Sequence, residues 1–476
     1  SPFQSVSSST RKYEDFGFNF NGIPRIVRPM PSKKVSFFKE YFGEDRLVEI
    51  ENNLNDVTQP EKMVKCRGCR KFTLASGKVI KDQNGGRGRF PSASKIDLLY
   101  INKQCLKEEL GKICNFSVMK PEKIVARLAH LQSEAQKIVY VDFSDIEWIA
   151  EKGHEGCGFF PEGCFGSTNY DSIQVRIVGP KIGLAKGMIL RKRGISRIQL
   201  PESMRKAPKS TMCNDTWVAV IIKSFFPSEE NKCMGRLLDP EGSPPRSWME
   251  KDRKPLSLMY QRMLIGYGVT DSTLNRYVRI SRNPVKLKHA HLVGCTDPTG
   301  SLPENRVFIT GYVSSENGRE LFGKVHKTVY ISRSPCLEPG DAKLVSVIGN
   351  KPNCMSKDDW DLLCSYGFGT IIFPKSRKST PLPRMIADGD LDGDDYFVLY
   401  DNKILDHLIH SNDKLTTKSR KLLRKLKLPV GAVKSVNKTT NYSKTADDDW
   451  LKKAQSNILD FSMQNAGSKM VSKLYG

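Results

Sequence analysis

Asp388-Gly389-Asp390-Leu391-Asp392-Gly393-Asp394-Asp395, running into Tyr396-Phe397-Val398-Leu399-Tyr400, is the stretch that decides the fold. Five carboxylates crowd into eight residues of an otherwise basic chain. Like charges this close resist ionising together unless a cation neutralises them. Their ligand atoms are all hard oxygens, which suit Mg²⁺, Mn²⁺ or Ca²⁺ and not Zn²⁺. Asp390, Asp392 and Asp394 stand at i, i+2 and i+4, so in extended chain all three side chains point the same way. On a helix they would fan out at about 100° per residue and could not share one ion. Gly389 and Gly393 permit tight turns, and the apolar run after them reads as an anchoring strand. An EF-hand loop fits Asp388 to Gly393, but its twelfth position, which requires Glu, is Leu399 inside that apolar run. The remaining readings are a phosphoryl- or nucleotidyl-transfer site with one or two Mg²⁺, and a solvated acidic turn.

The surroundings favour a phosphate chemistry. The chain has 476 residues, 76 Lys+Arg against 52 Asp+Glu, and a formal net charge of +24. Nucleic acid is the usual partner of such a surface, an anionic membrane the second. No apolar stretch approaches the roughly 20 residues that span a bilayer, and no lipidation motif or amphipathic anchor is present, so no membrane partner is expected. The 12 cysteines are mostly scattered and no apolar leader follows Ser1, which reads as reduced thiols in an intracellular protein, nuclear or cytoplasmic. Without an initiator Met, the chain is expected to be a piece of a longer protein.

Working outward, residues 305–400 read as short strands: Val307–Thr310, Val329–Ile331, Leu344–Ile348 and Tyr396–Tyr400. Residues 150–215 are a second β-rich region, with runs at Ile173–Val178, Gly187–Leu190 and Ile198–Leu200; frequent turns suggest a compact barrel. Ile124, Leu128 and Leu131 at helical spacing, with Pro121 at the start, predict a helix over 121–136, followed by a strand at 137–143. Residues 225–285 read as helical or irregular. Residues 411–445 hold ten Lys/Arg and one Asp, a basic arm that suits either solvent or nucleic acid.

Cations to face the carboxylates are at hand. Residues 181–209 hold nine Lys/Arg and one Glu. Lys186, between Gly183 and Gly187 and just before an apolar strand, would place an ammonium at a barrel end; Lys206 follows a strand and a turn. Lysines suit triphosphate oxygens as point charges. Arg333 opens the Arg333-Ser334-Pro335-Cys336 turn after a strand. Lys81 to Arg89 is a Gly/Arg loop. Cys66-Arg67-Gly68-Cys69 lacks a second CxxC at ribbon spacing, and His154, Cys157 and Cys164 would complete a zinc site only if the fold gathered them, so zinc is not expected. No Walker A, dinucleotide-binding or G-x-S-x-G pattern occurs.

With these residues in view, Asp390-Leu391-Asp392-Gly393-Asp394 and the strand after it resemble the DbDGD signature of the eukaryotic cellular RNA-dependent RNA polymerases of RNA silencing. Ser332 to Asp341 resembles the family's R-S-P-C-x-x-P-G-D segment. Ile173-Gln174-Val175-Arg176 with Lys186–Leu190 resembles its Q-x-R…K-G-V-L pair, and Ile198 to Lys206 its I-x-x-R-P-S-M-x-K segment with Glu202 intruding. Gly156-Cys157-Gly158 resembles its D-G-x-G-x-I-S turn, with His154 and Glu155 where that motif begins. The order and spacing fit over about 33–475, and residues 455–473 resemble the helix after the second barrel.

The resemblance implies an α+β fold of two double-psi β-barrels joined by a helical connector, with helical parts at both ends. Its expected divisions are 1–135 (N-terminal α/β region), 136–215 (first barrel), 216–290 (connector), 291–405 (second barrel) and 406–476 (basic helical segment). It implies RNA synthesis from NTPs on a single-stranded RNA template. Asp390, Asp392 and Asp394 would be Mg²⁺ ligands, with Mn²⁺ as the alternative ion, and Asp392 bridging two ions. Lys186 and Lys206 would lie near the nucleotide, and Arg333 would touch phosphate or barrel. Proteins of a small-RNA pathway would be partners. Two alternatives share the same core: a catalytically inactive RNA-binding remnant and a DNA-templated RNA polymerase.

Overall fold

The computed structural model describes residues 18–20, 23–25, 27–29, 35–43, 47–52, 72–74, 94–100, 103–150, 153–165, 170–227, 289–316, 318–333, 342–376, 380–402, 405 and 449–456. The CxxC at 66–69, the 81–89 loop, Ser334 to Asp341, most of the 216–290 connector and the 411–445 arm lie outside the described residues.

The N-terminal part is mixed α/β. Strands β1 (Phe18–Phe20) and β2 (Ile23–Arg25) pair with each other, while β3 (Val27–Pro29), β4 (Leu47–Asn52), β5 (Phe72–Leu74) and β6 (Ser94–Tyr100) form a four-stranded sheet in the order β3-β4-β6-β5. Three helices follow the helical periodicity: α1 (Phe37–Phe42), α2 (Lys103–Ile113) and α3 (Pro121–Gln132). Pro121 opens α3, where its missing N–H costs nothing. Ile124, Val125, Leu128 and Leu131 share one core with Phe37, Phe38, Leu106 and Leu110. The helix stops four residues short of the expected 136. Ser133 turns extended, and the Gln136 amide donates to the Ile222 carbonyl to begin a sheet.

That sheet has eight strands: β7 (Lys137–Asp142), β8 (Ile146–Ile149), β9 (Cys157–Pro161), β10 (Tyr170–Gly179), β11 (Gly183–Lys192), β12 (Ile198–Pro201), β13 (Arg205–Ala207) and β14 (Trp217–Pro227). Their order is β7-β14-β10-β11-β9-β12-β8, with β13 on β11. Strand β14 carries this sheet to residue 227, past the expected boundary at 215. The Val218–Ile222 run is apolar on both faces because both are covered, one by the α1–α3 core and one by the sheet's own core.

Strands β15 (His289–Thr296), β16 (Arg306–Ile309), β17 (Tyr312–Ser315), β18 (Gly318–Leu321), β19 (Thr328–Arg333), β20 (Lys343–Val347), β21 (Thr370–Phe373) and β22 (Asp395–Leu399) make up the second β-rich region. Six of them close into a barrel, β15-β21-β16-β20-β19-β22, and β17–β18 form a separate hairpin. Helices α4 (Phe322–Val325) and α5 (Lys357–Ser365) are inserted between its strands, and α6 (Trp450–Ser456) packs Trp450 against Phe116. No helix among the described residues is long and apolar enough to cross a membrane.

Alternation along β10 and β11 positions the site. Ile173, Val175 and Ile177 of β10, with Ala185 and Ile189 of β11, enter the sheet's own core. The intervening residues face the other way, and register places Arg176 opposite Lys186 and Gln174 opposite Met188. Met188 and Leu190, with Cys157 and Phe159 of β9, join the barrel's core. Sheet and barrel therefore share one apolar interface, of the kind whose burial contributes about 25 cal/mol per Å².

Candidate active site

The barrel delivers the acids. Asp390, Asp392 and Asp394 lie on the loop entering β22, and one carboxylate oxygen from each lies within 4.8 Å of the other two. The expectation that they converge through extended chain is corrected by the backbone. The loop bends through Leu391–Gly393, and Gly393 sits at φ 116°, outside the range an L side chain readily takes. A Cβ there would also collide with the Gln174 amide. Leu391 turns inward and is buried, so the polar residues are left on the cleft side. Among the described residues, these three aspartates form the cluster of metal-binding side chains.

Five bonds hold the loop's shape. Arg333 at the end of β19 forks onto Asp394, with Nε 2.7 Å from Oδ2 and Nη2 donating to Oδ1 at 3.1 Å. Its Nη1 donates to the Ala387 carbonyl at 3.1 Å. The Asp390 amide donates to Asp394 Oδ2 at 2.9 Å, and the Tyr396 hydroxyl donates to the Asp390 carbonyl at 3.0 Å. Burial pushes the Asp394 carboxyl above the usual carboxylate range; the Asp390 amide and Arg333 pull it back, and the nearby Asp390 charge adds to the rise. Burial lowers the Arg333 guanidinium, but the Asp394 charge and hydrogen bonds outweigh it, and its pKa ends raised.

The sheet delivers the bases. Lys186 Nζ lies 3.0 Å from Asp392 Oδ1, and Lys206 Nζ 3.4 Å from Asp392 Oδ2. Lys186 does not precede its strand, as the glycines around it suggested; it is the fourth residue of β11, because pairing with β10 begins at Gly183. Lys206 lies on β13, after the 3-10 turn Glu202–Met204.

Sequence reasoning left other members of this cluster unassigned. Arg176 donates through Nη1 to the His130 carbonyl at 3.1 Å and to Ser133 Oγ. Burial pulls its pKa down to about 10, opposed by Asp392. Burial, then Arg176, Arg127 and Lys186, hold His130 well below the usual imidazole value, so that ring is neutral at pH 7. The Ile173-Gln174-Val175-Arg176 alternation contained the signal: two polar residues on one face of an apolar strand. His154 and Cys157, weighed for zinc, instead make a local turn, with His154 Nδ1 at 3.1 Å from the Cys157 carbonyl.

A closed barrel thus presents three converging carboxylates, a group able to hold a metal ion, to lysines on a neighbouring sheet of an α+β fold. Residues 267–473 match the sequence model of the family described as RNA dependent RNA polymerase. The chain is 30% identical over 129 residues to the probable RNA-dependent RNA polymerase 2 of Oryza sativa subsp. japonica, covering 24% of this chain and 10% of that protein. It is 27% identical over 175 residues to RNA-dependent RNA polymerase 1 of Schizosaccharomyces pombe, covering 32% and 13%. The chain thus matches about a tenth of the length of these curated relatives. The RNA dependent RNA polymerase QDE-1 from Thielavia terrestris aligns with 78% of this chain and 50% of that structure, at TM-score 0.48 and 16% identity. These matches agree with the resemblance read from the sequence: residues 267–473 are similar to the RNA-dependent RNA polymerase family, and shorter stretches of the chain are similar to its plant and fission-yeast members.

Proposed function

We propose that the chain carries the catalytic core of an RNA-directed RNA polymerase that copies single-stranded RNA from NTPs. The observation that carries this reading is the convergence of Asp390, Asp392 and Asp394, which lie within the region that matches the family, opposite Lys186 and Lys206, which precede that region. In this reading the eight-stranded sheet and the closed barrel correspond to two double-psi barrels, and the protein works inside the cell with small-RNA pathway proteins.

The three carboxylates suit a hard divalent ion in donor chemistry and spacing. Mg²⁺ held by Asp390, Asp392 and Asp394 would activate the attacking hydroxyl and neutralise the leaving group. The chain's own residues do the rest. The two lysines orient Asp392. They also stand where a triphosphate meeting the carboxylates would place its oxygens, and fixed cations there stabilise charge developing in transfer. The 3′-hydroxyl of the growing strand gives up its proton to solvent as its oxygen bonds to the α-phosphorus and the bond from that phosphorus to the α–β bridging oxygen breaks, releasing pyrophosphate. Arg333 spends three of its five N–H donors on Asp394 and Ala387, so it holds the loop and has two N–H groups left for a phosphate. The basic surface carries the template through its backbone, and Watson–Crick pairing selects the base.

The test is NTP incorporation on single-stranded RNA and DNA templates with Mg²⁺ or Mn²⁺, comparing wild type with Asp392→Ala, with RNA binding measured beside it. Template-length product on RNA from wild type alone is expected. Product on DNA only would make the chain a DNA-templated polymerase. RNA binding without product in either protein would leave an inactive RNA-binding core.

A further inference from the structure

Glu155 and Arg384 lie on opposite sides of the seam between sheet and barrel. Arg384 sits in the 3-10 turn Leu382–Met385, just ahead of the aspartate loop. Its Nε donates to Glu155 Oε2 at 2.7 Å, and its Nη1 to Asp388 Oδ1 at 3.3 Å. Glu155 belongs to the turn before β9, and its own carbonyl accepts the Leu391 amide at 2.8 Å. One residue of the sheet therefore holds the loop twice, by its carboxylate at the loop's entrance and by its carbonyl beside Asp392. The next residue, Gly156, lies so close that a Cβ on it would stand 3.2 Å from the Asp392 Cβ. Met188 of β11 continues the seam, its amide donating to the Gly156 and Leu391 carbonyls at 3.3 Å each.

The backbone at this junction is under load. Glu155, Ala387 and Asp388 all sit at φ 49°. Left-handed backbone is unfavourable for a non-glycine residue, because its Cβ crowds the neighbouring carbonyl oxygen. Three such residues at one contact persist only where the surroundings over-determine them. The Glu155–Arg384 pair supplies that constraint. Both side chains are about a quarter exposed or less, so the attraction is only partly screened.

We propose that the Glu155–Arg384 ion pair is a positioning latch, which sets where the aspartate loop docks on the sheet and so how Asp390, Asp392 and Asp394 converge on a divalent cation. This rests on the metal-site reading above. Neither latch residue is in the carboxylate cluster, so breaking the pair alters the geometry of the donors and not their number.

The experiment measures Mn²⁺ binding to the whole chain by electron paramagnetic resonance, with melting followed by circular dichroism. Wild type is expected to bind, and Asp392→Asn to bind far less. Glu155→Gln and Arg384→Gln should each weaken Mn²⁺ by about tenfold, the lower end of what residues supporting a metal's ligands contribute. Their melting curves should stay close to wild type. The charge-swapped double variant Glu155→Arg/Arg384→Glu should recover part of the loss, incompletely because a glutamate at 384 would face Asp388. Single variants that bind like wild type, or a double no better than the singles, would overturn the latch. If wild type binds no Mn²⁺, or Asp392→Asn binds like wild type, the metal-site reading falls instead. Hydrogen exchange of the peptide Ile386–Asp394 then decides the latch alone: faster exchange in Glu155→Gln supports it, and unchanged exchange rejects it.

Discussion

The sheet of β7–β14 and the barrel of β15–β22 meet at one site and contribute to it in opposite ways. The barrel gathers its acids in sequence, within a single loop whose shape Arg333, Tyr396 and Gly393 maintain from inside the barrel and its seam. The sheet gathers its bases in space. Lys186, Lys206 and Arg176 come from three strands and meet because alternate residues of β10 and β11 face the barrel. The acids repel one another and are held together by paired cationic side chains, whereas the bases are already spread over a rigid surface and need only be faced. A loop anchored in a closed barrel by its buried Leu391 meets the first condition. A register-locked sheet meets the second.

The sharpest way to break this comparison is from the acid side. Asp392→Asn should lower incorporation by roughly 10³-fold or more, the loss of several kcal/mol of charge stabilisation, while RNA binding in a filter assay stays near wild type. Lost RNA binding would make the loop structural. The base side should yield less. Lys186→Met is expected to cost on the order of 10²-fold in kcat, as for removal of one preorganised donor. Lys206→Met, at 3.4 Å rather than 3.0 Å from the carboxylate, should cost less than Lys186→Met in the same assay. Equal losses would show that the two lysines act as one unit.

The seam gives smaller effects that sharpen the contrast. Gly156→Ala puts a side chain at φ 93° against Asp392 and should destabilise the chain by about 1–2 kcal/mol, read as a lower denaturation midpoint. Arg333→Lys retains charge but loses the fork onto Asp394 and its bond to the Ala387 carbonyl. It should raise the Mg²⁺ concentration needed for half-maximal rate by about threefold, less than the roughly tenfold that follows loss of a ligand's support, because Lys retains the charge. No change there would mean that the Asp390 amide and Tyr396 hold the loop unaided.

The two regions also differed in how far they could be read beforehand. The acidic loop and the strand after it were legible because chemistry and spacing coincide within eight residues. Most of the barrel strands announced themselves as short apolar runs between turns. The helix at 121–132 followed from Pro121 and the 3.6-residue period, with only its end displaced by the start of β7. Lys186 was visible as a lysine beside glycines, but its place in mid-strand was not, because glycine signals a turn locally and only the pairing with β10 overrides that signal.

By itself, then, the sequence determined that three aspartates would share one loop and that the chain would be strongly basic. It also determined the β-rich character of 150–215 and 305–400, since these follow from local composition and period. The tertiary structure alone decided that the aspartates converge through a bend at Gly393 rather than along extended chain. It likewise decided that Lys186 and Lys206 grip Asp392, that Arg333 forks onto Asp394, and that Glu155 reaches Arg384 across the seam. The physical reason is the same in each case. These are contacts between residues tens to hundreds of positions apart, or backbone angles fixed by such contacts, and they form only when a sheet and a barrel are pressed together by a shared apolar core.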